Sequence, residues 1–254
     1  MPVACGSTVL TGSSGSISFK PAGTSVCLLD KTDFPTGSSI TLPEGHGFRV
    51  GDTVQFTIEG GATLVTGLTA KTDYFLIAVS STECSVSATA EGSAISWTEI
   101  DADTPGGHIN MTLSAFTSVC NVASFSLSLD RDQIETTSLS CGCGDTTGSD
   151  LAPFKTYQPG FVDGTGTMEV QFTEEQGSMA ARLIESSLKK NQDGAAVRLY
   201  INTVCAAGEI DNNASAYIEA PVTILGFSFS VSPEDVTTAT LNFSLSGQPT
   251  AFQL

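Results

Sequence analysis

Two histidines, His46 and His108, and the close pair Cys141 and Cys143 are the residues with the most obvious chemical reach. Histidine does acid–base work when a carboxylate or nucleophile faces it. Here each histidine sits beside glycine in a turn, with no acid or nucleophile at motif spacing, so both read as turn residues. Cys141-Gly-Cys143 offers half of a zinc site. A structural zinc takes two further Cys or His ligands in paired spacing, and no second pair exists, so these read as loop thiols. Asp130, Arg131, Asp132 and Glu135 suggest an acid pair or a calcium loop. The alternate acids, central glycine and closing glutamate of an EF-hand loop are missing, and the cluster reads as a charged strand end. There is no Gly-x-Ser-x-Gly elbow, phosphate loop or dinucleotide fingerprint. The expectation is a protein without catalytic residues, cofactor or metal.

Bulk composition points the same way. The 254 residues carry 27 acids against 10 bases, a net charge of −17. Phosphate binding is driven by Lys and Arg, so this balance argues against a protein that grips nucleic acid, though not against one past which nucleic acid slides. No stretch has the apolar length of a membrane span, and the N-terminus lacks the basic and apolar regions of a signal peptide. The seven cysteines are odd in number and irregularly spaced, which suggests free thiols in a reducing compartment.

The elements that must carry these residues are mostly strands. Ser, Thr and Gly dominate the polar composition, which suits sheets and turns. Up to about residue 115, short candidate strands at 16–19, 53–58 and 73–79 alternate with glycine turns. Two of these turns are 44–52 (EGHGFRVGD) and 105–112. Trp97 reads as core. From about residue 116 the pattern sharpens. In ASFSLSLDRDQIETTSLS, residues 123–140, Phe125, Leu127 and Leu129 share one parity and Ser124, Ser126 and Ser128 the other. This is a strand with one dry face and one hydroxyl face. The apolar parity changes between Asp130 and Gln133, implying a bulge or turn before a second piece at 134–139. Thr165 to Phe172 alternates again, with Thr167, Glu169 and Gln171 wet. One helix is expected at about 174–190. Thr173 and Gln176 would form a capping box, Met179, Ala180, Leu183, Ile184 and Leu188 an apolar face, and Lys189 and Lys190 the C-terminal end. Strands follow at 197–201, 226–231 and 240–245.

The order of these pieces resembles the tail tube proteins of phages, in the lambda-like family. Residues 122–139 resemble the opening strand pair. GTMEVQF (166–172), the amphipathic helix, VRLYI (197–201), PVTILGFSFSV (221–231) and ATLNFSLSG (239–247) follow in the family's order. The resemblance covers residues 116 to the end. Within 1–115, GHGFRVGDTVQF (45–56), TDYFLI (72–77) and GHINMTL (107–113) are similar to a small β-module found in many phage structural proteins. That module would span about 33–114 and decorate or interrupt the tube fold.

The resemblance implies a mainly β fold, an antiparallel sandwich or barrel with one amphipathic helix. It also implies an assembly of homo-hexameric rings stacked head to tail, whose hairpins join edge to edge around a channel for DNA. The implied partners are other tail proteins: a terminator, baseplate, hub or tape measure, and a sheath if the tail contracts. The implied location is the virion tail, assembled in the host cytoplasm, with no membrane. Asp130, Asp132, Glu135 and Glu169 would line the channel with acid, and Ser124, Ser126 and Ser128 with hydroxyls. Two other readings remain open: a surface or secreted lectin-like or adhesin-like binding module, and a single-ring terminator, baseplate component or secretion-tube relative.

Overall fold

The computed structural model describes residues 15–29, 31–98, 103–119, 122–136, 157–171, 177–206, 209–231, 237–249 and 251–253. Among the described residues, sixteen strands and one helix follow in chain order. They are β1 (Ser16–Lys20), β2 (Ser25–Leu28), β3 (Ile40–Thr41), β4 (Thr53–Glu59), β5 (Tyr74–Val79), β6 (Glu83–Ser87), β7 (His108–Leu113) and β8 (Thr117–Val119). Then come β9 (Val122–Glu135), β10 (Tyr157–Gln171), α1 (Gly177–Leu188), β11 (Ala196–Asn202), β12 (Cys205–Ala206), β13 (Glu209–Ile210), β14 (Ala216–Ser230), β15 (Thr238–Leu245) and β16 (Ala251–Gln253). The fold is mainly β with antiparallel sheets, as the alternating pattern implies.

The larger sheet runs β8-β1-β11-β14-β15-β10-β9, with β16 also paired to β14. β8 and β9 lie at opposite ends of this order, yet only two residues separate them in sequence. The sheet is therefore nearly closed and barrel-like. Its interior holds Ile17, Phe19, Val197, Leu199, Met168, Leu241 and Phe243, all at most 2% exposed. Burying side chains of this size contributes about 1.5–3 kcal/mol each. The smaller sheet, β2-β7-β4-β5-β6-β3, draws every strand from between β1 and β8. It wraps a separate core in which Phe34 meets Phe56 and Trp97 edge-on, at 6.2 and 5.9 Å. Trp97 is buried there, and its indole N–H donates to the Pro35 carbonyl.

The two cores meet at loop 44–52 and α1. Gly47 comes so close to the chain before β2 that a Cβ would lie 2.2 Å from the Ala22 carbonyl oxygen. Its amide donates to the Gly23 carbonyl, and Gly23 takes a φ of 73° that other residues rarely adopt. Lys189 Nζ donates to the carbonyls of Gly45 and His46, and Arg49 pairs with Glu185 at 2.6 Å. The glycine-punctuated turn in the sequence is thus a docking loop.

Several expectations change. The helix spans Gly177–Leu188, and the expected caps Thr173 and Gln176 lie outside the described residues. Leu183 is buried, but Ile184 and Leu188 are exposed, Leu188 by 80%. The helix is rotated because Arg182, Glu185 and Lys189 must reach the docking loop. Buried Ser186 joins Leu183 inside, its hydroxyl accepting from the Ala22 amide. β9 is one continuous strand to Glu135, not two pieces. The irregularity expected near Asp130 to Gln133 falls there, but its extra residue lies on β10, between Pro159 and Val162. β10 accordingly starts at Tyr157, well before the expected strand. Pro159, which cannot donate to a ladder, sits at this bulge.

Candidate functional site

Four strands, β9, β10, β15 and the second half of β14, form one continuous patch of the larger sheet, and their registers define its rows. One row runs Ser124, Glu169, Thr240, Ser228, and the next Ser126, Thr167, Asn242, Gly226. The third runs Ser128, Thr165, Ser244, Thr223. Beyond it Asp130 faces Asp163, and at the other end Gln171, Thr238 and Ser230 align. Side chains two apart along a strand share a face, so all these groups lie on one side. It is a surface of hydroxyls, amides, carboxylates and one glycine, with no Lys or Arg in any row.

Hydrogen bonds run across the rows. Ser126 and Thr167 hydroxyls meet at 2.8 Å, and the Ser124 hydroxyl donates to Glu169 Oε2 at 3.3 Å. The Ser128 hydroxyl donates to Asp130 Oδ2 at 3.3 Å, and Asp163 Oδ1 accepts the Gly164 amide. The groups satisfy one another on the surface and leave few donors for an anion. Carboxylates facing each other directly across a strand pair, as Asp130 and Asp163 do, are destabilising where nothing offsets them.

The reverse side is the core. Leu127, Gly166, Phe243 and Ile224 form one row, and Phe125, Met168, Leu241 and Phe227 the next. Gly166 is required by its neighbour, since a Cβ there would lie 2.4 Å from the Phe243 ring. The polar surface is therefore backed by fixed packing.

Most residues singled out in the sequence lie on described strands or turns. Ser124, Ser126, Ser128, Asp130 and Glu169 share the polar face, and Asp132 continues the same β9 parity beyond it. Glu135 falls on the other parity, with Leu129 and Arg131, opposite Tyr157. Asp163 was missed. Reading the alternation of β10 back through Gly164 would have found it. His46 Nε2 lies 2.8 Å from the Ser80 carbonyl, and His108 Nε2 3.0 Å from Glu59 Oε2, a partner 49 residues away in sequence. Cys141 and Cys143 lie outside the described residues. Among the described residues no group of His, Cys, Asp or Glu is gathered to hold a metal ion, and no helix is long and apolar enough to cross a membrane.

Two structural features frame the polar face. First, its outer strands are edges. β9 pairs only with β10, and beyond Pro221 β14 has no strand on the side away from β15 among the described residues. Second, β9 and β10 run on past β15 as a two-stranded arm to which no other strand is paired among the described residues. Tyr157, Val162 and Ile134 are exposed there, and Phe161 is 86% exposed.

No family model matches the chain, and no curated protein matches it. Two solved structures resemble it in part. One is the tail of an empty gene transfer agent (GTA) particle, refined helically with C6 symmetry. That chain is 13% identical over 56% of this chain and 89% of its own, with a TM-score of 0.38. The other is the virion of a native gene transfer agent particle, 11% identical over 55% and 89%, with a TM-score of 0.35.

Proposed function

We propose that this protein is the subunit of a hollow phage tail tube, assembling as stacked rings through which DNA is ejected. The observation that carries the reading is the four-strand polar face without a basic residue, flanked by two open edges. Open edges are normally hidden or blunted in monomers. Here the two edges run antiparallel to each other, because three antiparallel pairings lie between β9 and β14. A copy related by rotation brings its β9 beside the first copy's β14 with the correct polarity. Repetition of this contact closes a barrel and leaves no edge. Six copies per ring is what the family resemblance implies.

The polar face becomes the channel wall in this assembly. Asp130, Asp163 and Glu169, with Asp132 beyond them, repeat around the ring and repel phosphates within a Debye length of about 8–10 Å. Hydroxyls offer passing DNA only weak, exchangeable contacts. The arm carrying Phe161 is covered by a second copy in the stack, since a two-stranded ribbon is marginal alone. The smaller sheet is carried as an insertion that takes no part in the wall. Other tail proteins, a terminator and a baseplate or hub, close the two ends, and the virion tail is the site of action.

The test is negative-stain electron microscopy of the purified full chain over rising concentration. Rings or hollow tubes are the expected result. Uniform monomers at the highest attainable concentration would remove the proposal.

A further inference from the structure

β14 turns a corner between its halves. The first half, residues 216–221, lies beside β11, and the second half runs on past the end of that strand. At the corner the outward main-chain donors are taken one after another. The Val222 amide donates to the Ala195 carbonyl at 3.0 Å. The next outward amide, Ile224, donates to the side-chain Oε1 of Gln192 at 3.2 Å. The same side chain turns its Nε2 the other way, donating to the carbonyls of Ser186 at 3.0 Å and Lys189 at 2.7 Å, at the end of α1. Both N–H groups and the oxygen of this half-buried amide are committed. Immediately afterwards the ladder to β15 shifts by one residue at Leu225.

We propose that Gln192 is a register stop, which fixes Gly226 as the first position of β14 on which the β9 of a neighbouring copy can add. This rests on the tube reading above. A strand advancing as far as Ile224 would have to displace the Gln192 amide, stranding two donors and an acceptor. Register matters unusually here. β9 is held to β10 within its own copy, so its faces stay fixed, and the outward main-chain groups of an edge recur at every second residue. A slip therefore moves one copy past the next by two residues, about 7 Å, and changes the stagger between copies. Main-chain pairing along a bare edge is the same after every such two-residue step, so it does not by itself oppose the slip.

The test is electron cryomicroscopy of tubes formed by the full chain, comparing wild type with Gln192→Ala and Gln192→Glu. Glu keeps the acceptor for Ile224 and loses both donors to the helix end, whereas Ala loses all three. Wild type and Gln192→Glu are expected to give a single helical twist, and Gln192→Ala several. A single twist for Gln192→Ala overturns the proposal. Loss of the single twist in both variants also overturns it, because the residue would then act only by capping α1. Failure of wild type to form tubes removes the tube reading, and this inference with it. Hydrogen exchange on wild type supplies a readout without substitution. The Ile224 amide is expected to be slow both before and after assembly, and the outward amides beyond Gly226, those not directed at β15, to slow only on assembly. Ile224 slowing only on assembly contradicts the proposal.

Discussion

Arg182 on α1 holds Asp52 in a paired grip, Nη1 to Oδ1 at 2.8 Å and Nη2 to Oδ2 at 2.7 Å, across 130 residues of sequence. The side chains are only 12% and 9% exposed, and Nη2 also reaches the Gly47 carbonyl at 3.3 Å. The pair joins the smaller sheet to the helix that covers the larger one. Removing one partner of a buried pair leaves the other charge uncompensated, at a cost of about 3–5 kcal/mol. Asp52→Ala and Arg182→Ala are each expected to lose that much in urea unfolding followed by circular dichroism. Arg182→Lys is expected to recover only part of it, because lysine cannot make the bidentate contact. Losses below about 0.5 kcal/mol for both alanine variants would mean that the two units do not depend on this contact.

The docking loop should also respond to acid. Burial raises the Glu185 carboxyl pKa, but the hydrogen bond from Arg49 and the charge of Lys189 outweigh it and leave the value below the ordinary 4.5. A carboxylate with a depressed folded pKa adds stability above its unfolded value, and that stability is lost as pH falls through the folded value. Wild type is therefore expected to lose more stability below about pH 4.5 than Glu185→Gln, as read from melting temperature against pH. Parallel curves for the two proteins would contradict this origin.

Gly166 separates a steric requirement from a general preference for glycine. Gly166→Ala drives a Cβ into the Phe243 ring and is expected to cost about 1–3 kcal/mol. Gly226→Ala, on the same sheet but with no atom within 4 Å of the new Cβ, is expected to change stability by under about 1 kcal/mol. Chemical denaturation of the two variants makes the comparison.

Cys84 and Cys27 should differ in reactivity although both are free thiols. Burial pushes the Cys84 pKa up to about 12, whereas Cys27 is exposed on β2. At pH 8, peptide-level mass spectrometry after brief alkylation is expected to find Cys27 modified and Cys84 intact until the protein is unfolded. Early labelling of Cys84 would show that the smaller core opens readily.

The acid on the polar face should govern how DNA moves along it. Replacing Asp130 and Glu169 with lysine is expected to make assembled tubes retain DNA at low salt and release it as salt rises. Wild-type tubes are expected to retain none. Equal behaviour in a filter-retention assay would mean that these residues do not meet DNA.

The strands of the polar face were legible because alternation survives wherever one side of a sheet is packed. Phe125, Leu127, Met168 and Leu241 announce the dry side, and Ser124, Ser126 and Glu169 the wet one. The continuity of β9 was hidden. Beyond Leu129 the arm carries no buried apolar residue among the described residues, so its apolar residues follow no period and mimic a break. The rotation of α1 was hidden too, because Ile184 and Leu188 keep helical spacing with Leu183. What overrides the spacing is the long-range demand of Asp52 and Gly45, which single-element periodicity does not record. The antiparallel relation of the two open edges needed the pairing order itself.

The most direct test is the inner wall of an assembled tube, mapped by electron cryomicroscopy at a resolution that distinguishes β9 from its neighbours. The expected map places Ser126, Thr167, Asn242 and Glu169 facing the lumen, with β9 of each copy paired antiparallel to β14 of the next. A map with this face on the outside of the tube, or buried between rings, would contradict the assignment.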